Sequence, residues 1–579
     1  MKKWVYANLI SEEIAEKYEI PLILKQILWN REVITSKKDQ GAVESFLHPD
    51  FERDLHNPND LKGMFLARDL ILKTVKNKQK IWIYGDFDVD GITGATLLFE
   101  TLKKLDADVS VYIPDREKEG YGVNKNAIKE IGEMGCNLLI TVDCGITSSA
   151  EIEFAKSLKI ETVVVDHHTP QAKLPKCLII NPRQKGDAYP FKELSACALA
   201  WKLSQALIEN PKSEIRNPKQ IRNSKFETEK YLKWQLDLVG LSTICDVVPL
   251  VGENRTLAIY GLKVLQKTRR LGLLKLCEVA GIQKENIDSY AVGFLLGPRL
   301  NAAGRLENAD ISFKLLTTTD EQEALELAQQ LNSINIERQE ILENALAEAR
   351  EIVFAKDLHK KKALVVESKN WLGGIVGLIA SKLVQEFNRP AFVLNFGAVE
   401  SKGSARSIEG FHLVEALSHC SDLLTRHGGH SKAAGLALLS ENLDSFKEKI
   451  IGLAESTLSD EDVLPKIKID AEISVEELEL NFFNKWIKVL EPFGLGNPRP
   501  IFHIKGAKIL ETRWCGKSDD HLRINFEKDG KNYWAIGFSW PKENAPEIGE
   551  INDIAATLDE NEWNDTKTLG LKLIDFKSN

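Results

Sequence analysis

Three aspartates alternate with other residues in one short run of the chain. Asp86, Asp88 and Asp90 lie within the heptapeptide GDFDVDG, directly after the apolar residues 81–85. In an extended chain, residues two apart face the same side, so these like charges repel one another unless a cation lies between them. The run therefore indicates a metal site. An acidic turn or a charged helix N-terminus is the alternative that it leaves open.

Further candidate ligands follow later apolar stretches. LLITV ends at Asp143, and ETVVV ends at Asp166, His167 and His168. In an open parallel sheet, ligands bind at the carboxyl ends of the strands, which is where these residues would meet. Asp246 stands in the apolar stretch LSTICDVVPL. A buried carboxylate is costly unless it is paired or bound to a metal.

The types of these ligands indicate which metal and which chemistry to expect. Carboxylate and imidazole groups without thiolate suit Mn²⁺ or Mg²⁺ better than structural Zn²⁺. The set is large enough for two ions that share a bridging aspartate. Two such ions activate water and stabilise the leaving oxygen in phosphoester hydrolysis, so the sequence predicts a two-metal phosphoesterase.

The surrounding pattern predicts the elements that position these residues. From Ile81 onward, short β-rich runs alternate with amphipathic helices, including one through Ala95–Leu105, as in a parallel sheet covered by helices. The segment from Asp320 to Phe354 has no Gly or Pro and carries apolar residues at helical spacing. It predicts a long helix, either a connector between two lobes or an ordinary packed helix.

The chain is long enough for several domains, and the expected fold class is α/β and multidomain. After Pro465, alternating apolar residues predict the strands of a small β-barrel. A polar stretch at 210–225 resembles an inserted solvent loop. The predicted parts are a helical lead-in (1–75), an α/β domain with a parallel sheet (76–318), a connector helix (319–356), a second α/β domain (357–458) and a C-terminal β-barrel (464–579).

Composition limits the function classes. Apolar residues make up 43% and charged residues 28% of the 579 positions, as in ordinary globular proteins. No apolar run approaches the roughly 18–20 residues that span a bilayer, and the first residues lack the apolar core of a signal peptide. We therefore expect a cytoplasmic protein whose eight separate cysteines are reduced. The net charge of −9 counts mildly against nucleic-acid binding, although local arginines and bound cations reverse the field in a cleft.

Taken in order, the motifs resemble those of a known superfamily. GDFDVDG, TVDCG, DHH and STICDVVPL are similar to the four motifs of DHH phosphoesterases, and GGHSKAAG resembles the mark of the DHH-associated domain. The stretches IPDR, GYG, GPRLNAAGR, LEPFGLGNP and NEWN are similar to the RecJ family. The resemblance covers nearly the whole chain. It implies a DHH domain, a connector helix, a DHH-associated domain and a C-terminal barrel of the oligonucleotide-binding (OB) type.

The resemblance also implies roles at the metal site. Relatives carry a histidine near the position of Tyr84, and Asp86 is expected to compensate for it. His168 is expected to contact the scissile phosphate or to act as an acid–base partner rather than to bind metal. Asp143 is expected to bridge the two ions. With these roles, Asp86, Asp143 and His168 are the expected catalytic residues. The implied metal ligands are Asp88, Asp90, Asp143, His167 and Asp246.

A further set of residues is expected to hold the substrate. Backbone amides and forked guanidinium groups suit phosphate, and this set would bind a terminal 5′ phosphate and set the direction of cleavage. A surface salt bridge is the alternative for any single arginine, and a capping or core role is the alternative for the histidine. The expected nucleic-acid-binding residues are Arg116, Arg299, Arg305, Ser404, Arg406 and His430.

The C-terminal barrel carries aromatic and basic residues that suit single strands. Base stacking on them is one interpretation, and packing in the barrel core is the other. Relatives often carry a histidine where this chain has Leu372, so a nucleic-acid contact at that position is not carried over. The residues concerned in the barrel are Trp514, His521, Arg523, Tyr533 and Trp534.

Three functions compete for this chain. The first is a 5′-to-3′ exonuclease that is specific for single-stranded DNA, uses two Mn²⁺ or Mg²⁺ ions and serves recombination and repair. The second is a DHH enzyme for pyrophosphate or short oligonucleotides, and the third is a non-catalytic replication scaffold. The extra barrel favours polymeric DNA, and the complete ligand set argues against a scaffold. A helicase and a single-strand-binding protein are the expected partners, and a monomer without membrane contact is the expected state.

Overall fold

The computed structural model describes residues 2–36, 40–116, 118–120, 122–208, 227–563 and 566–578. Tyr121 and the insertion at 210–225 lie outside the described residues. The chain divides into two compact units. One unit, here called the catalytic unit, comprises Leu55–Val248 and Leu257–Leu464. The other, here called the barrel unit, comprises Met1–Asp54, Pro249–Thr256 and Pro465–Asn579.

The secondary structure alternates between strands and helices through most of the chain. The strands are β1 (Lys3–Tyr6), β2 (Ile81–Gly85), β3 (Val109–Tyr112), β4 (Leu138–Val142), β5 (Glu161–Val165), β6 (Leu178–Ile180), β7 (Leu364–Ser368), β8 (Ala391–Asn395), β9 (Glu400–Arg406), β10 (Arg426–Gly429), β11 (Ala433–Leu439), β12 (Lys466–Ile469), β13 (Ala471–Glu472), β14 (Phe502–Cys515), β15 (His521–Lys528), β16 (Lys531–Gly537), β17 (Ile551–Trp563) and β18 (Thr566–Ser578). The main helices are Glu12–Ala15, Leu22–Asn30, Gln40–Leu47, Met64–Lys76, Val89–Lys104, Lys125–Glu133, Ser149–Ser157, Ala196–Ile208, Leu236–Cys245, Gly252–Leu265, Leu271–Ala280, Gly297–Leu306, Asp310–Thr317, Glu321–Ala355, Gly373–Phe387, Leu413–His419 and Leu443–Thr457.

The first sheet of the catalytic unit is parallel, as predicted. Its strand order is β3-β2-β4-β5-β6. Gly85 lies opposite Val142, and Val142 lies opposite Val165, so β2, β4 and β5 end level with one another. The next residue of each strand is an aspartate, which brings Asp86, Asp143 and Asp166 to one edge of the sheet.

The helix after β2 begins earlier than the sequence pattern predicted. It runs from Val89 to Lys104, because Asp88 caps its N-terminus by accepting hydrogen bonds from the backbone N–H groups of Asp90 and Gly91. Asp90 therefore lies in a helical turn. The expectation that all three aspartates of GDFDVDG face one side of an extended chain was wrong, since local capping overrides extension here.

The long predicted helix is present and runs from Glu321 to Ala355. Asp320 caps its start by accepting a hydrogen bond from the backbone N–H of Glu323. It packs against helix Gly297–Leu306 of the first α/β part and against helix Gly373–Phe387 of the second. Between the two interpretations of this segment, the structure thus favours the connector. Beyond it, the second sheet has the order β10-β11-β9-β8-β7.

The barrel unit contains the predicted C-terminal barrel. Strands β14, β15, β16, β18 and β17 pair in that order, and β14 also pairs with β17, which closes the barrel. The lead-in is helical from Glu12, but it begins with β1, which pairs in parallel with β12. The boundaries of the five predicted parts stay a prediction.

A buried arginine joins distant segments within the barrel unit. Arg255 is 1% exposed, and its guanidinium lies 4.1 Å from the ring centre of Phe46. It donates hydrogen bonds to the carbonyl oxygens of Phe46, Val489, Leu490 and Glu491 at 2.6–3.0 Å. Burial, and then the charge of Arg31, lower its pKa to about 9. A desolvated cation of this kind is stable only because carbonyl oxygens surround it.

We expect Arg255→Met to destabilise the barrel unit by about 3–5 kcal/mol, because several buried carbonyl groups lose their donor together. Urea unfolding followed by tryptophan fluorescence measures the effect. The control is Arg53→Met, which removes an exposed guanidinium that pairs with its neighbour Asp54 and donates a hydrogen bond to the carbonyl of His48. Equal midpoints for Arg255→Met and the unsubstituted protein would contradict the role given to Arg255.

Candidate metal centre

The turn after β4 gives Asp143 an unusual backbone. Asp143 has φ 63°, in the left-handed region that aspartate tolerates better than most residues, and Gly145 follows with φ 108°. The hydroxyl of Thr141 donates a hydrogen bond to the carbonyl of Cys144 and closes the turn. The motif TVDCG is therefore a tight turn that fixes one carboxylate at the edge of the sheet.

Asp166 orients His168 rather than pointing into the centre itself. Its Oδ2 accepts a hydrogen bond from the backbone N–H of Ile146, and its Oδ1 lies 2.8 Å from His168 Nδ1. Burial raises the pKa of Asp166, but the bond to His168 and the charge of His168 outweigh it and lower the pKa. Burial likewise lowers the pKa of His168, yet Asp166 more than compensates and raises it. The contact with Asp166 thus fixes the ring of His168.

His167 faces three carboxylates with one ring nitrogen. Its Nε2 lies 3.3 Å from Asp143 Oδ1, 3.5 Å from Asp246 Oδ2 and 3.7 Å from Asp90 Oδ2. Burial, and then the charge of His168, lower the pKa of His167 to about 3, so its ring is neutral at physiological pH. A neutral imidazole surrounded by carboxylate oxygens at these separations has the arrangement of ligands that share a cation.

The potential ligand atoms fall into three groups in which all atoms lie within 4.8 Å of one another. Asp143 belongs to two of these groups. The groups are Asp86, Asp88 and Asp143; Asp90, His167 and Asp246; and Asp143, His167 and His168.

These residues fit divalent cations on their own chemistry. Among the described residues, Oδ1 of Asp86, Oδ1 of Asp143 and Oδ2 of Asp246 are buried and accept no hydrogen bond. Burial and the neighbouring carboxylates raise the pKa of all three side chains well above the usual range. Cations between them supply the missing partners and the missing charge. Oxygen ligands dominate, which suits Mn²⁺ or Mg²⁺.

Asp90 is positioned by the N-terminus of another helix. Its two oxygens accept hydrogen bonds from the backbone N–H groups of Ala196 and Cys197 at 2.7 Å, and Oδ1 also accepts one from Ser242 at 2.6 Å. Burial and Asp88 nevertheless raise its pKa to about 6. Asp90 therefore stands in the centre as a rigid carboxylate.

Asp246 is placed where a carboxylate is unfavourable without a cation. It is the C-terminal cap of helix Leu236–Cys245, so it stands at the negative end of the helix dipole. The next residue, Val247, has φ 58°, which a β-branched side chain rarely adopts. The chain bends sharply directly after the ligand.

Helix Gly297–Leu306 holds the loops of the centre from one side. Asn301 accepts a hydrogen bond from the backbone N–H of Val89 at 3.0 Å. A Cβ at Gly304 would collide with the carbonyl oxygen of Phe87, and a Cβ at Gly297 would collide with Cys245. The motif GPRLNAAGR thus packs directly against both the GDFDVDG loop and the residue before Asp246.

Three of the predicted arginines lie together beside Asp86 and Asp88. The charges of Arg116 and Arg406 act on Arg305, and the charge of Asp88 opposes them. Burial, then Arg116 and Arg338, lower the pKa of Arg305 to about 9. Arg406 donates a hydrogen bond to Ser404 Oγ at 3.0 Å, and burial followed by Arg116 lowers its pKa. Half-buried like charges in this arrangement favour an anion.

The structure separates one of the expected residues, Arg299, from this cluster and adds Arg338 to it. Arg299 donates to Asn332 and to the carbonyl of Leu295, along the connector helix. Leu372 precedes helix Gly373–Phe387 and is 39% exposed. Arg338 on the connector is 9% exposed, and its Nε has no hydrogen-bond acceptor among the described residues. In the sequence, Arg338 is one charge among many on a long helix, and no signal distinguished it.

His430 lies beside the metal centre, whereas Tyr84 is directed away from it. The ring of His430 stacks on that of His168, with centroids 6.0 Å apart and an interplanar angle of 18°. Tyr84 points away from the centre, since its hydroxyl donates to the carbonyl of Gly122. Asp86 groups with Asp88 and Asp143, and its compensating role stays a prediction.

The candidate stacking residues of the barrel divide into two kinds. Trp514 and Tyr533 pack against the barrel core. Trp534 is half-buried, and the guanidinium of Arg523 lies 4.3 Å from its ring centre. His521 contacts Phe538, which is 54% exposed.

Family models match three parts of the chain. The DHH family N-terminal domain matches residues 80–227, the DHHA1 domain matches 360–456, and the RecJ OB domain matches 469–575.

All eight cysteines are unpaired, and none of the described helices is long and apolar enough to cross a membrane.

Individual proteins are similar over nearly the whole chain. The single-stranded-DNA-specific exonuclease RecJ of Bacillus subtilis is 36% identical over 97% of this chain and 69% of its own length. The Haemophilus influenzae protein of the same name is 32% identical over 98% of this chain and 99% of its own. The crystal structure of Thermus thermophilus RecJ in complex with Mn²⁺ matches with a TM-score of 0.82 and 28% identity, covering 99% of this chain and 79% of that one.

Three matching domains, near-complete coverage and a shared fold agree with the geometry of the centre. The chain belongs to the RecJ family of the DHH superfamily.

Proposed function

We propose that this protein is a metal-dependent exonuclease that degrades single-stranded DNA from the 5′ end, in recombination and repair. The observation that carries the proposal is the convergence of three carboxylate and imidazole ligand groups beside a cluster of half-buried arginines. The names of the similar proteins support the same substrate.

The proposed ligands divide between two ions. Asp86, Asp88 and Asp143 would hold one, and Asp90, His167 and Asp246 would hold the other. Asp143 is proposed as the bridge, because its Oδ1 also lies 3.3 Å from His167 Nε2. Bound Mn²⁺ or Mg²⁺ ions supply an activated water and a counter-charge for the phosphate.

The residues of the chain perform the remaining tasks. The arginine cluster and Ser404 hold the terminal 5′ phosphate, which sets the strand in one direction. Asp166 fixes the ring of His168, which would donate a hydrogen bond to a non-bridging oxygen of the scissile phosphate. His430 stacks on His168 and shields it from water. Water attacks the phosphorus, the bond to the 3′ oxygen of the terminal nucleotide breaks, and that nucleotide leaves.

Several finer statements belong to this proposal. A cytoplasmic location, a monomeric state and cooperation with a helicase and a single-strand-binding protein would suit an enzyme that resects DNA ends. The barrel, with Arg523 on Trp534, would bind the single strand by stacking and charge. An enzyme for pyrophosphate or short oligonucleotides is less consistent with this additional domain.

A 5′-phosphorylated single strand labelled at its 3′ end tests the function directly. With Mn²⁺, we expect a ladder of shortened labelled products from the single strand and none from the matching blunt duplex. Immediate release of a labelled mononucleotide would mean the opposite polarity. Turnover of pyrophosphate or dinucleotides without cleavage of DNA would refute the proposal.

Asp143→Asn tests the bridging role. Asparagine also adopts the left-handed backbone, so the turn should persist while one anionic ligand is lost. We expect the cleavage rate to fall by at least about a thousandfold with single-strand binding retained, because several groups depend on the same ions. The increase in melting temperature caused by Mn²⁺ should also diminish. The matched control is Asp320→Asn. Asparagine can still cap the connector helix there, and the position is far from Asp143 in the sequence. Full activity of Asp143→Asn would exclude the bridge.

Arg406→Ala tests how the 5′ phosphate is recognised. A charge-assisted hydrogen bond contributes about 1.5–3 kcal/mol, so the ratio of kcat/KM for phosphorylated over hydroxyl 5′ ends should fall roughly 10- to 100-fold. Arg350→Ala removes an exposed arginine that pairs with Glu386 and serves as control. If Arg406→Ala lowers activity equally on both kinds of end, the arginine does not read the terminal phosphate.

A further inference from the structure

A cavity with a basic lining lies in the catalytic unit, among residues that have no role in the proposed mechanism. Its volume is about 380 Å³, within the range of roughly 300–1,000 Å³ that is usual for small-molecule sites. Four lysines contribute to its lining, although the net charge of the whole chain is −9. This cavity, here called the lysine cavity, is lined by Lys230, Lys233, Trp234, Lys263, Val264 and Lys267, together with Glu229.

The lining combines positive charge with a flat apolar surface. The four lysine side chains are exposed, whereas Trp234 and Val264 are half-buried. The guanidinium of Arg269 lies 4.4 Å from the ring centre of Trp234 and adds a further cation. A matching ligand therefore carries several negative charges beside a planar apolar group. A nucleoside polyphosphate has this combination, because ammonium groups bind phosphate oxygens and indole stacks on a base.

The two helices that lead to the lysine cavity touch each other through glycines. A Cβ at Gly240 would lie 2.7 Å from the Cα of Gly261, and a Cβ at Gly261 would lie 2.5 Å from the Cα of Gly240. Helices Leu236–Cys245 and Gly252–Leu265 thus cross at backbone contact, with no side chain between them. A small change in the angle between the helices preserves this contact and displaces the helix ends.

One of these helices joins the lysine cavity to the metal centre. The wall that carries Trp234 continues through Gln235, whose backbone is helical, into helix Leu236–Cys245. Asp246 caps the far end of that helix. Trp234 and Asp246 each lie six residues from Gly240, on opposite sides, which is about 9 Å along the axis at about 1.5 Å per residue. A ligand that draws the two walls of the cavity together therefore also displaces Asp246.

The other wall belongs to the second helix at the crossing. Val264 lies one turn beyond Gly261, near the C-terminal end of helix Gly252–Leu265, and Lys267 follows that helix. Phosphate groups held between lysines of both walls would bridge the two helices. The ligand thus acts on the angle between them.

We propose that the lysine cavity is a regulatory site for a nucleoside polyphosphate, which displaces Asp246 when it binds. Asp246 Oδ2 lies 3.5 Å from His167 Nε2, as ligands of a shared cation do, so its displacement weakens the binding of that cation and slows cleavage. The proposal goes beyond the proposed function, and only its cleavage readout depends on that function. A single strand or an acidic peptide would follow an extended basic groove, whereas these lysines line one cavity.

Calorimetric titration of the full-length protein with ATP, without divalent metal, tests the site. We expect one ATP to bind, and the double variant Lys263→Gln/Lys267→Gln should bind it roughly 10- to 100-fold more weakly, because charge-assisted hydrogen bonds to phosphate are lost. Lys382→Gln, which removes an exposed lysine from helix Gly373–Phe387, is the matched control. Arg406→Ala should leave ATP binding unchanged, since its guanidinium belongs to the arginine cluster.

Inorganic tripolyphosphate separates the contribution of the base from that of the phosphates. Trp234→Leu should weaken the binding of ATP roughly 5- to 100-fold and leave the binding of tripolyphosphate unchanged, because leucine keeps an apolar side chain but offers no ring for stacking. Equal losses for both ligands would instead indicate that the substitution distorts the cavity.

Cleavage of a 5′-phosphorylated single strand tests the link to Asp246. The concentration of free Mn²⁺ is held constant, because ATP itself binds Mn²⁺. We expect ATP to raise the Mn²⁺ concentration for half-maximal cleavage by roughly 5- to 100-fold, the range of ordinary couplings between two sites. Lys263→Gln/Lys267→Gln should cleave at the normal rate without ATP and should not respond to it.

Four results would overturn the proposal. The first is equal binding of ATP by the double variant and the unsubstituted protein, and the second is loss of ATP binding in Arg406→Ala. The third is ATP binding at the lysine cavity with no effect on the Mn²⁺ requirement. The fourth is a higher KM for the single strand in the double variant without ATP, together with a weaker salt dependence, which would assign the lysines to the DNA backbone.

The two proposals can fail separately. An acidic peptide that binds the lysine cavity while ATP does not would mean that the site receives a partner protein instead of a nucleotide. Absence of DNA cleavage by the unsubstituted protein would refute the proposed function, whereas the calorimetric result would still decide whether the nucleotide binds.

Discussion

The metal centre places several carboxylates and a neutral imidazole within a few ångströms of one another in the protein interior. Asp86, Asp90, Asp143 and Asp246 each have a raised pKa there, with burial as the largest cause, and three of their oxygens accept no hydrogen bond among the described residues. Cations at the centre of this group would neutralise its charges and supply the missing partners. The surrounding elements exist to hold these groups in place against their repulsion: a capped helix start at Asp88, a helix N-terminus around Asp90 and a left-handed turn at Asp143.

Helix Gly297–Leu306 relates the centre to its substrate surfaces. Its glycines allow close approach to Phe87 and Cys245, and Asn301 binds the loop that carries two of the ligands. The same helix bears Arg305 near its C-terminal end.

The barrel unit contains three parts of the chain that are far apart in sequence, so tertiary contacts must hold them together. Arg255 supplies hydrogen bonds to carbonyl groups of two such parts and is itself stable only in their company. The closed barrel uses some aromatic residues for its core, including Tyr533, and leaves others such as Trp534 at its surface with a cation beside them. The alternation of residues along the strands did not distinguish these two uses, because the barrel twists and its strands carry irregular pairings.

The sequence by itself predicted the parallel sheet, a long helix after Asp320, a C-terminal barrel and the candidate ligands, because strand and helix periodicity and the chemistry of Asp and His are local properties. It also determined the DHH and RecJ resemblance through motifs in a fixed order. Tertiary structure alone decided the helical placement of Asp90, the separation of Arg299 from the arginine cluster and the addition of Arg338 to it. These features depend on contacts between residues distant in the chain, such as Cys245 with Val292, and no local pattern encodes which distant neighbour a side chain will meet.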